Sequence, residues 1–452
     1  MTARMPATEP PADELQAARG QRRESAARTY SRRLPIALVG GEGVHVRDGA
    51  GRVYLDCLAG AGALALGHGH PAVVSALRAA LDSGVPLTTL DLDTPLRDAF
   101  VETLFAVLPE SLRGGRIQFC GPTGSDAVEA AVKLARTATG RSGAIAFGGA
   151  YHGMTQGALA LSGAHAPKAP LGALGADVQH LPFPSAYRCP FGEGGERGAD
   201  LCARALRWAL TDTHSGILPP AAILVEPVQG EGGVHPAPAS FARAVRRAAG
   251  DAGCVLIADE VQTGLGRTGA LWGSDGIGLD PDVLVLSKAV GGGQPLAVIV
   301  YRAGLDTWEP GAHAGTFRGN QLALAAGAAT IRHIVDHDLP ARAATLGERL
   351  LDGLREQTAG LPVVGDVRGR GLMVGVELVD PRRCDADGVP RPDGGLAGAV
   401  QRAMLERGVL VEIGGREGAV VRFLPPLIIE AEHVDRIAET FGQAVWSAWR
   451  AT

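Results

Sequence analysis

The sequence predicts an α/β protein with a large domain built on a mostly parallel sheet and a smaller α/β domain built from the two chain ends. Three observations predict this fold class. A chain of 452 residues is long for one hydrophobic core and short for three. From about residue 95 onwards, apolar strand-like runs alternate with helical stretches, which is typical of a parallel sheet. Strand-like patterns also occur near both ends of the chain, outside this alternation.

The N-terminal region is predicted to hold an arm, residues 1–34, followed by the first part of the small domain, residues 35–94. The arm is rich in Arg, Glu, Ala and Pro and lacks the apolar stretch of a signal peptide, so we expect a cytoplasmic protein. Residues 44–55 alternate around a Gly-rich turn at residues 48–51, which predicts a β-hairpin.

The large domain is predicted to span residues 95–335. Its strand-like runs are short and apolar: 116–120, 144–147, 221–226, 254–259, 283–287 and 297–301. Residues 183–195 are rich in Pro and Gly and too polar for the core, which predicts a surface loop that contacts substrate or a second subunit.

The C-terminal part of the small domain is predicted to span residues 336–452. A long Ala- and Leu-rich helical run after Asn320 leads into it. Residues 366–378 and 419–424 are predicted as strands, and the charged, Pro- and Gly-rich residues 380–395 as a loop.

Composition excludes several classes of protein. A net charge of −5 with mixed signs does not favour nucleic acid as a partner, and no apolar run is long enough to span a membrane. The six cysteines form no C-x-x-C pair, so we expect reduced thiols rather than a zinc site or disulfides. His68 and His70 lie in a Gly- and Pro-containing loop without a Cys or carboxylate cluster, so we expect no metal there either.

The most informative lysine is Lys288, which follows the apolar run 283–287 and precedes the small residues 289–293. Such a lysine lies at the carboxyl edge of the sheet. Burial and neighbouring positive charge lower the pKa of an amine, which makes it a competent imine-forming nucleophile. The alternative is a lysine that merely ends a strand in solvent.

Asp259 and Glu260 end the preceding apolar run, at a spacing from Lys288 that suits one helical crossover between neighbouring strands. A carboxylate paired with a pyridine nitrogen keeps that nitrogen protonated, so the ring can accept electrons. The alternative is that both carboxylates are solvated charges at a strand end.

Two segments are candidates for binding a phosphate. Residues 121–126 are Gly-rich, follow a strand and open an Ala/Val/Leu-periodic helix, where free backbone N–H groups attract an anion. In residues 314–320, the hydroxyl of Thr316 could reach a phosphate but could equally cap the following helix.

Together, these segments resemble the class III (ω-amino acid) aminotransferases over nearly the whole chain from residue 44 onwards. The resemblance implies fold type I, with a seven-stranded, mostly parallel sheet, and pyridoxal 5′-phosphate as cofactor. It implies that Lys288 carries the cofactor as an imine and moves the proton of the substrate carbon. It also implies a set of cofactor contacts: Asp259 to the pyridine nitrogen, Gln262 to the ring hydroxyl, Tyr151 and Val261 to the two ring faces, Gly124 and Ser125 to the phosphate, and Thr316 to the phosphate of the second subunit of a homodimer.

Two further positions match family motifs that bind substrate. Glu226 begins the motif at residues 226–233, and Arg422 matches the arginine that holds the substrate α-carboxylate. A structural ion pair is the alternative for Arg422. Our hypothesis is that Glu226 pairs with Arg422 while a terminal amine binds, and releases it when glutamate or 2-oxoglutarate binds.

Residues 119–124, 187–192 and 287–292 resemble a subfamily that transfers the terminal amine of L-2,4-diaminobutyrate to 2-oxoglutarate, giving L-aspartate 4-semialdehyde and L-glutamate, often for siderophores or similar metabolites. The alternatives are transaminases of ornithine, 4-aminobutyrate or a polyamine, an aminomutase or racemase of the same fold, and a non-catalytic relative. Arg422 favours a separate 2-oxo acid over an aminomutase, and the presence of Lys288, Asp259 and Gln262 together argues against a non-catalytic protein.

Overall fold

The computed structural model of the protein describes residues 23–172, 174–175 and 177–451. Most of the predicted N-terminal arm, residues 1–22, therefore lies outside the described residues. The cytoplasmic location, which depends on that arm, stays a prediction. No helix within the described ranges is both long and apolar enough to cross a membrane.

The large domain is built on the predicted seven-stranded sheet, in which a single strand, Val298–Tyr301, runs antiparallel to its neighbours. In spatial order the strands are Arg116–Phe119, Val298–Tyr301, Val283–Leu286, Val255–Asp259, Ala222–Val225, Ala144–Phe147 and Val178–Leu181. Six of them confirm the predicted apolar runs. The seventh, Val178–Leu181, was missed because it is a half-exposed edge strand with two polar residues and so carries no apolar run.

The sheet separates two hydrophobic cores, because successive side chains of a strand point to opposite faces. Ile223, Leu256 and Leu284 pack in one core, and their chain neighbours, such as Leu224 and Ile257, pack in the other. Helices cover both faces: Pro95–Phe105, Gly124–Thr139, Gln156–Leu161, Gly195–Thr211, Ala239–Ala252 and Gln321–Asp336.

The chain ends meet in a small sheet. Val409–Leu410 pairs in parallel with Val53–Asp56, the second strand of the predicted hairpin, whose first strand is His45–Asp48. Leu38–Glu42 completes this sheet. This pairing supports a small domain made from both chain ends, although the boundaries at residues 34, 94 and 335 stay a prediction.

The rest of the C-terminal region is a second antiparallel sheet with helices packed on it. Its strands are Val364–Arg370, Met373–Cys384, Pro390–Pro392, Glu412–Gly414 and Val420–Phe423. The helices are Leu339–Gln357, Gly394–Glu406 and Ala431–Arg450. Shorter helices in the N-terminal part are Tyr30–Arg33, Ala59–Gly62 and Pro71–Asp82, and a two-stranded ribbon joins Val228–Gln229 to His235–Pro236.

Three local predictions need correction. Residues 380–395 are not a single loop, because the strand Met373–Cys384 continues through the charged residues and pairs with Pro390–Pro392. The connection from Asp259 to residue 283 has only the 3₁₀ turn Asp275–Ile277 in place of a helical crossover. Residues 183–194 are irregular as predicted, but they are not wholly at the surface, since the partly buried Arg188 guanidinium binds Glu377 and the Pro390 carbonyl.

Candidate active site

The predicted cofactor residues gather at the carboxyl edge of the large sheet. Val255–Asp259 and Val283–Leu286 are parallel neighbours, so Asp259 and Lys288 reach the same edge. A cavity of about 180 Å³ opens there. It is lined by Gly124, Ser125, Tyr151, His152, Gly153, Glu226, Glu231, Asp259, Val261, Gln262, Ser287 and Lys288. All the predicted site residues are on its wall except Thr316 and Arg422.

Lys288 is held in an unusual backbone conformation, with a φ of 52°, at the start of the 3₁₀ turn Lys288–Gly291. A non-glycine residue with positive φ is uncommon and costs free energy, which is often tolerated at functional sites. Burial lowers the pKa of the Lys288 amine, as does the charge of Arg422, while Glu231 and Asp259 act against this shift. Lys288 lines the cavity, and the alternative of a lysine that merely ends a strand in solvent is therefore wrong.

Asp259 is buried and fixed from two sides. One carboxylate oxygen, Oδ1, accepts the Val261 N–H at 3.1 Å, and Oδ2 lies 2.8 Å from His152 Nδ1. The neighbouring Glu260 is also buried, and its carboxylate accepts bonds from Gly273 and Ser274, so it holds that turn and does not face the cavity. The alternative of two solvated carboxylates is therefore wrong.

His152 is a site residue that the sequence did not reveal. Its segment was noted only for Tyr151, and a histidine before glycine carries no signal of its own. The fold brings its buried ring against Asp259 from a loop more than a hundred positions away. A buried partner on Oδ2 orients the carboxylate.

The start of the helix Gly124–Thr139 forms an anion-binding cradle. Thr123 caps the helix by accepting the Asp126 N–H, and the N–H groups of Gly124 and Ser125 have no acceptor within the helix. A Cβ on Gly124 would lie 3.1 Å from the Val261 side chain, and one on Gly153 would lie 2.0 Å from Ser125 Oγ. Both glycines thus keep the cradle open for a ligand.

Arg422 lies beside the cavity and is completely buried, in a network that differs from our hypothesis. Its Nη1 is 2.7 Å from Glu231 Oε1 and 3.4 Å from Glu412 Oε2, and its Nη2 donates to Gln262 at 3.1 Å. Glu226 does not pair with it. The Glu226 carboxylate instead accepts the N–H groups of Tyr151 and Gly230.

The carboxylate partner of Arg422 is therefore Glu231, and the predicted Glu226–Arg422 pair is wrong. Both glutamates belong to the motif at residues 226–233, so the motif could have suggested either one. Burial alone would lower the pKa of Arg422, but Glu231 and Glu412 raise it. Arg422 in turn lowers the pKa of Glu231 against the effect of burial.

Thr316 does not reach this cavity within one chain. It is exposed in the turn segment 311–319, next to the exposed ring of Phe317. A contact with the cofactor of a second subunit stays a prediction.

The two loop histidines, His68 and His70, contact different partners. His68 Nε2 lies 2.7 Å from Asp56, whereas the His70 ring packs against His333. A different group, Cys120, Asp126 and His313, brings metal-type donors together within the described residues. There His313 contacts Asp126 at 3.0 Å and Lys133 at 3.2 Å, and the ammonium of Lys133 opposes a bound cation.

An α/β fold with a lysine and a carboxylate at neighbouring strand ends, facing an anion-binding helix start, defines a pyridoxal phosphate-dependent enzyme of fold type I. The chain belongs to the class-III aminotransferases, whose family model matches residues 26–445. Its cofactor is pyridoxal 5′-phosphate.

Similar proteins extend over almost the full chain. The chain is 53% identical to a diaminobutyrate–2-oxoglutarate aminotransferase of Rhizobium meliloti (strain 1021), covering 94% of this chain and 91% of that protein. A protein of the same name from Haemophilus influenzae (strain ATCC 51907 / DSM 11121 / KW20 / Rd) is 47% identical, with coverages of 94% and 93%. The omega transaminase from Pseudomonas jessenii in complex with PMP has a TM-score of 0.86 at 27% identity, covering 96% of this chain and 98% of that one. The ornithine aminotransferase from Toxoplasma gondii ME49 has a TM-score of 0.82 at 27% identity, with coverages of 98% and 97%.

Proposed function

We propose that this aminotransferase moves the terminal amino group of L-2,4-diaminobutyrate to 2-oxoglutarate, forming L-aspartate 4-semialdehyde and L-glutamate. The observation that carries the proposal is the Glu231–Arg422 ion pair beside the Lys288 cavity. The relatives of that name, at 53% and 47% identity, support the choice of donor.

Pyridoxal phosphate, when bound, supplies a ring that accepts electrons from the substrate carbon and a carbon that carries the amino group between substrates. Gly124 and Ser125 would hold its phosphate, and Asp259, oriented by His152, would pair with its pyridine nitrogen. Tyr151 and Val261 would contact the ring faces, and Gln262 its hydroxyl. Lys288, whose pKa is lowered by burial, would bind the cofactor and then take and return the proton of the substrate carbon.

Glu231 and Arg422 account for the use of two different substrates in one pocket. While a terminal amine reacts, the Glu231–Arg422 pair is closed and no free cation faces the donor. When glutamate or 2-oxoglutarate enters, Glu231 turns away and Arg422 offers its planar fork to the α-carboxylate. Glu231 suits this role because its side chain is only partly buried, with 32% exposed, whereas that of Arg422 is completely buried.

A homodimer is part of the proposal and is supported by the exposed position of Thr316, away from the cavity of its own chain. Three leucines, Leu87, Leu90 and Leu92, are exposed together with Phe317, and the ion pair between Arg318 and Asp91 joins their segments into one surface. Exposed apolar patches of this kind mark interfaces, and a second copy of the chain would cover this one while bringing Thr316 to the neighbouring cavity.

The test is glutamate formation from 2-oxoglutarate by the purified holoenzyme with four donors: L-2,4-diaminobutyrate, ornithine, 4-aminobutyrate and lysine. We expect the highest kcat/KM with diaminobutyrate. Preference for another donor would show that the proposed substrate is wrong and that the proposed reaction class is right. Amino transfer back to the donor skeleton without any 2-oxo acid would instead indicate an aminomutase.

A further inference from the structure

Arg422 has a second carboxylate partner, Glu412, which is not needed for the ion pair with Glu231. Glu412 and Arg422 stand opposite each other on the paired strands Glu412–Gly414 and Val420–Phe423. Side chains of directly opposed residues lie on the same face of a sheet. Arg422, Glu231 and Glu412 thus form one cluster beside the cavity, with two carboxylates for one guanidinium, and Glu231 is the member that lines the cavity.

Glu412 is held in place from the other side by the N-terminal segment. The Tyr30 hydroxyl donates to Glu412 Oε1 at 2.7 Å, and Arg33 donates to the Ile413 carbonyl at 3.2 Å. Among the described residues, no such brace holds the side chain of Glu231, which is therefore the carboxylate that can turn away. Glu412 is the one that stays.

The other carboxylate oxygen of Glu412, Oε2, has no hydrogen-bond donor in the described part of the chain that offsets its burial. Among the described residues, Oε2 is buried without a hydrogen-bond donor, and its contact with Arg422 Nη1 is a long one at 3.4 Å. Burial raises the pKa of Glu412, and Glu231 raises it further, whereas Arg422 lowers it. Buried acceptors in folded proteins are normally satisfied, so this oxygen is positioned for a donor that arrives with a ligand.

We infer that Glu412 is a specificity-determining residue that accepts the α-ammonium group of the amino donor, an inference that rests on the proposed function. L-2,4-Diaminobutyrate and 4-aminobutyrate have the same carbon chain and the same terminal amine, and differ in the α-amino group alone. When the terminal amine faces Lys288, the α-ammonium lies at the far end of the substrate. A cation there meets Glu412 Oε2, the oxygen without a hydrogen-bond donor within the described ranges, whereas 4-aminobutyrate brings no cation to it.

The test is the preference of the holoenzyme for diaminobutyrate over 4-aminobutyrate, taken as the ratio of the two kcat/KM values. Glu412→Gln keeps the shape and removes the charge. We expect this ratio to fall by about 10- to 100-fold, the range for one charge-assisted hydrogen bond, with most of the loss in the KM for diaminobutyrate. Glu406→Gln, at an exposed position in the same domain, is the matched control and should leave the ratio unchanged.

Tyr30→Phe provides a second variant should Glu412→Gln fail to fold. It removes the hydroxyl that holds Glu412 and should lower the same ratio by a smaller factor, about 3- to 10-fold. A ratio that stays within about threefold of the wild type in the folded variant would overturn the inference. Equal losses with both donors have the same meaning, because Glu412 would then act only by holding Arg422.

The proposed function and this inference fail in different ways. If the wild-type enzyme prefers diaminobutyrate and the variants keep that preference, only the role of Glu412 is wrong. If the wild-type enzyme rejects diaminobutyrate and uses 4-aminobutyrate, both are wrong.

Discussion

The two walls of the cavity are built in different ways. On the large-domain wall, Asp259, Lys288 and Gly124 each sit at the end of a strand or the start of a helix and are fixed by neighbouring backbone. On the other side, next to the cavity, Arg422 is surrounded by Glu412 from the neighbouring strand and by Glu231 and Gln262 from segments that are remote in sequence. The difference teaches that the lysine side is positioned by backbone geometry, whereas the arginine side is positioned by ion pairs and hydrogen bonds between side chains.

The largest expected effect is on the lysine side of the cavity. Lys288→Ala removes the group that binds the cofactor and moves the proton, so we expect glutamate formation to fall by on the order of 10⁴-fold. The visible absorbance of the bound cofactor should change as well. Lys168→Ala is the control, since Lys168 donates to the Ala160 carbonyl and does not line the cavity. Substantial amino transfer by Lys288→Ala would contradict the assigned role.

An effect of intermediate size is expected for the ion cluster around Arg422, and it should differ between the two half-reactions. Glu231→Gln leaves Arg422 without its main charged partner, so the half-reaction with diaminobutyrate should slow by about 10-fold or more while the half-reaction with glutamate changes little. The measurement is the absorbance change of the bound cofactor when each amino acid is mixed alone with the holoenzyme.

Glu226→Gln is the matched comparison for that experiment, because Glu226 accepts backbone N–H groups and does not contact Arg422. It should affect the two half-reactions alike. If Glu226→Gln gave the unequal result and Glu231→Gln did not, the exchange would belong to Glu226 as first hypothesised.

The smallest expected effect is on the pH dependence of the thermal stability, through the buried carboxyl of Glu226. Burial raises the pKa of Glu226 from 4.5 to about 7. The folded state therefore holds this proton more tightly than the unfolded state does. Protonated Glu226 therefore stabilises the folded state. This contribution to the free energy of unfolding is complete below about pH 4.5 and is lost as the pH rises through 7.

Glu226→Gln should remove this decline in the cofactor-free protein. The measurement is the Tm of each protein at pH 5 and at pH 8. From pH 5 to pH 8, the Tm of the variant should rise relative to that of the wild type by roughly 1–3 °C, given about 1.4 kcal/mol for each pKa unit and the size of the chain. If the Tm of both proteins changed in the same way with pH, the pKa of Glu226 would not be raised in the folded protein.

Much of the fold could be predicted because it follows from local patterns. Apolar runs such as Val283–Leu286 are buried on both faces, and their short length and β-branched residues favour a buried strand over a helix. The sequence does not predict the strand Val178–Leu181, and it predicts residues 380–395 as a loop, because polar strands carry no apolar run and are specified by the neighbour with which they pair.

The sequence by itself determined the cofactor wall: Lys288, Asp259 and the helix start at Gly124 each follow directly from the element that ends or begins there. Only the tertiary structure decided that Arg422 pairs with Glu231 rather than Glu226, that His152 orients Asp259, and that Tyr30 and Glu412 join the cluster around Arg422. The physical reason is that strand and helix ends are set by short-range backbone geometry. The partner of a buried charge is set by which remote side chains the packed domains bring within a few ångströms.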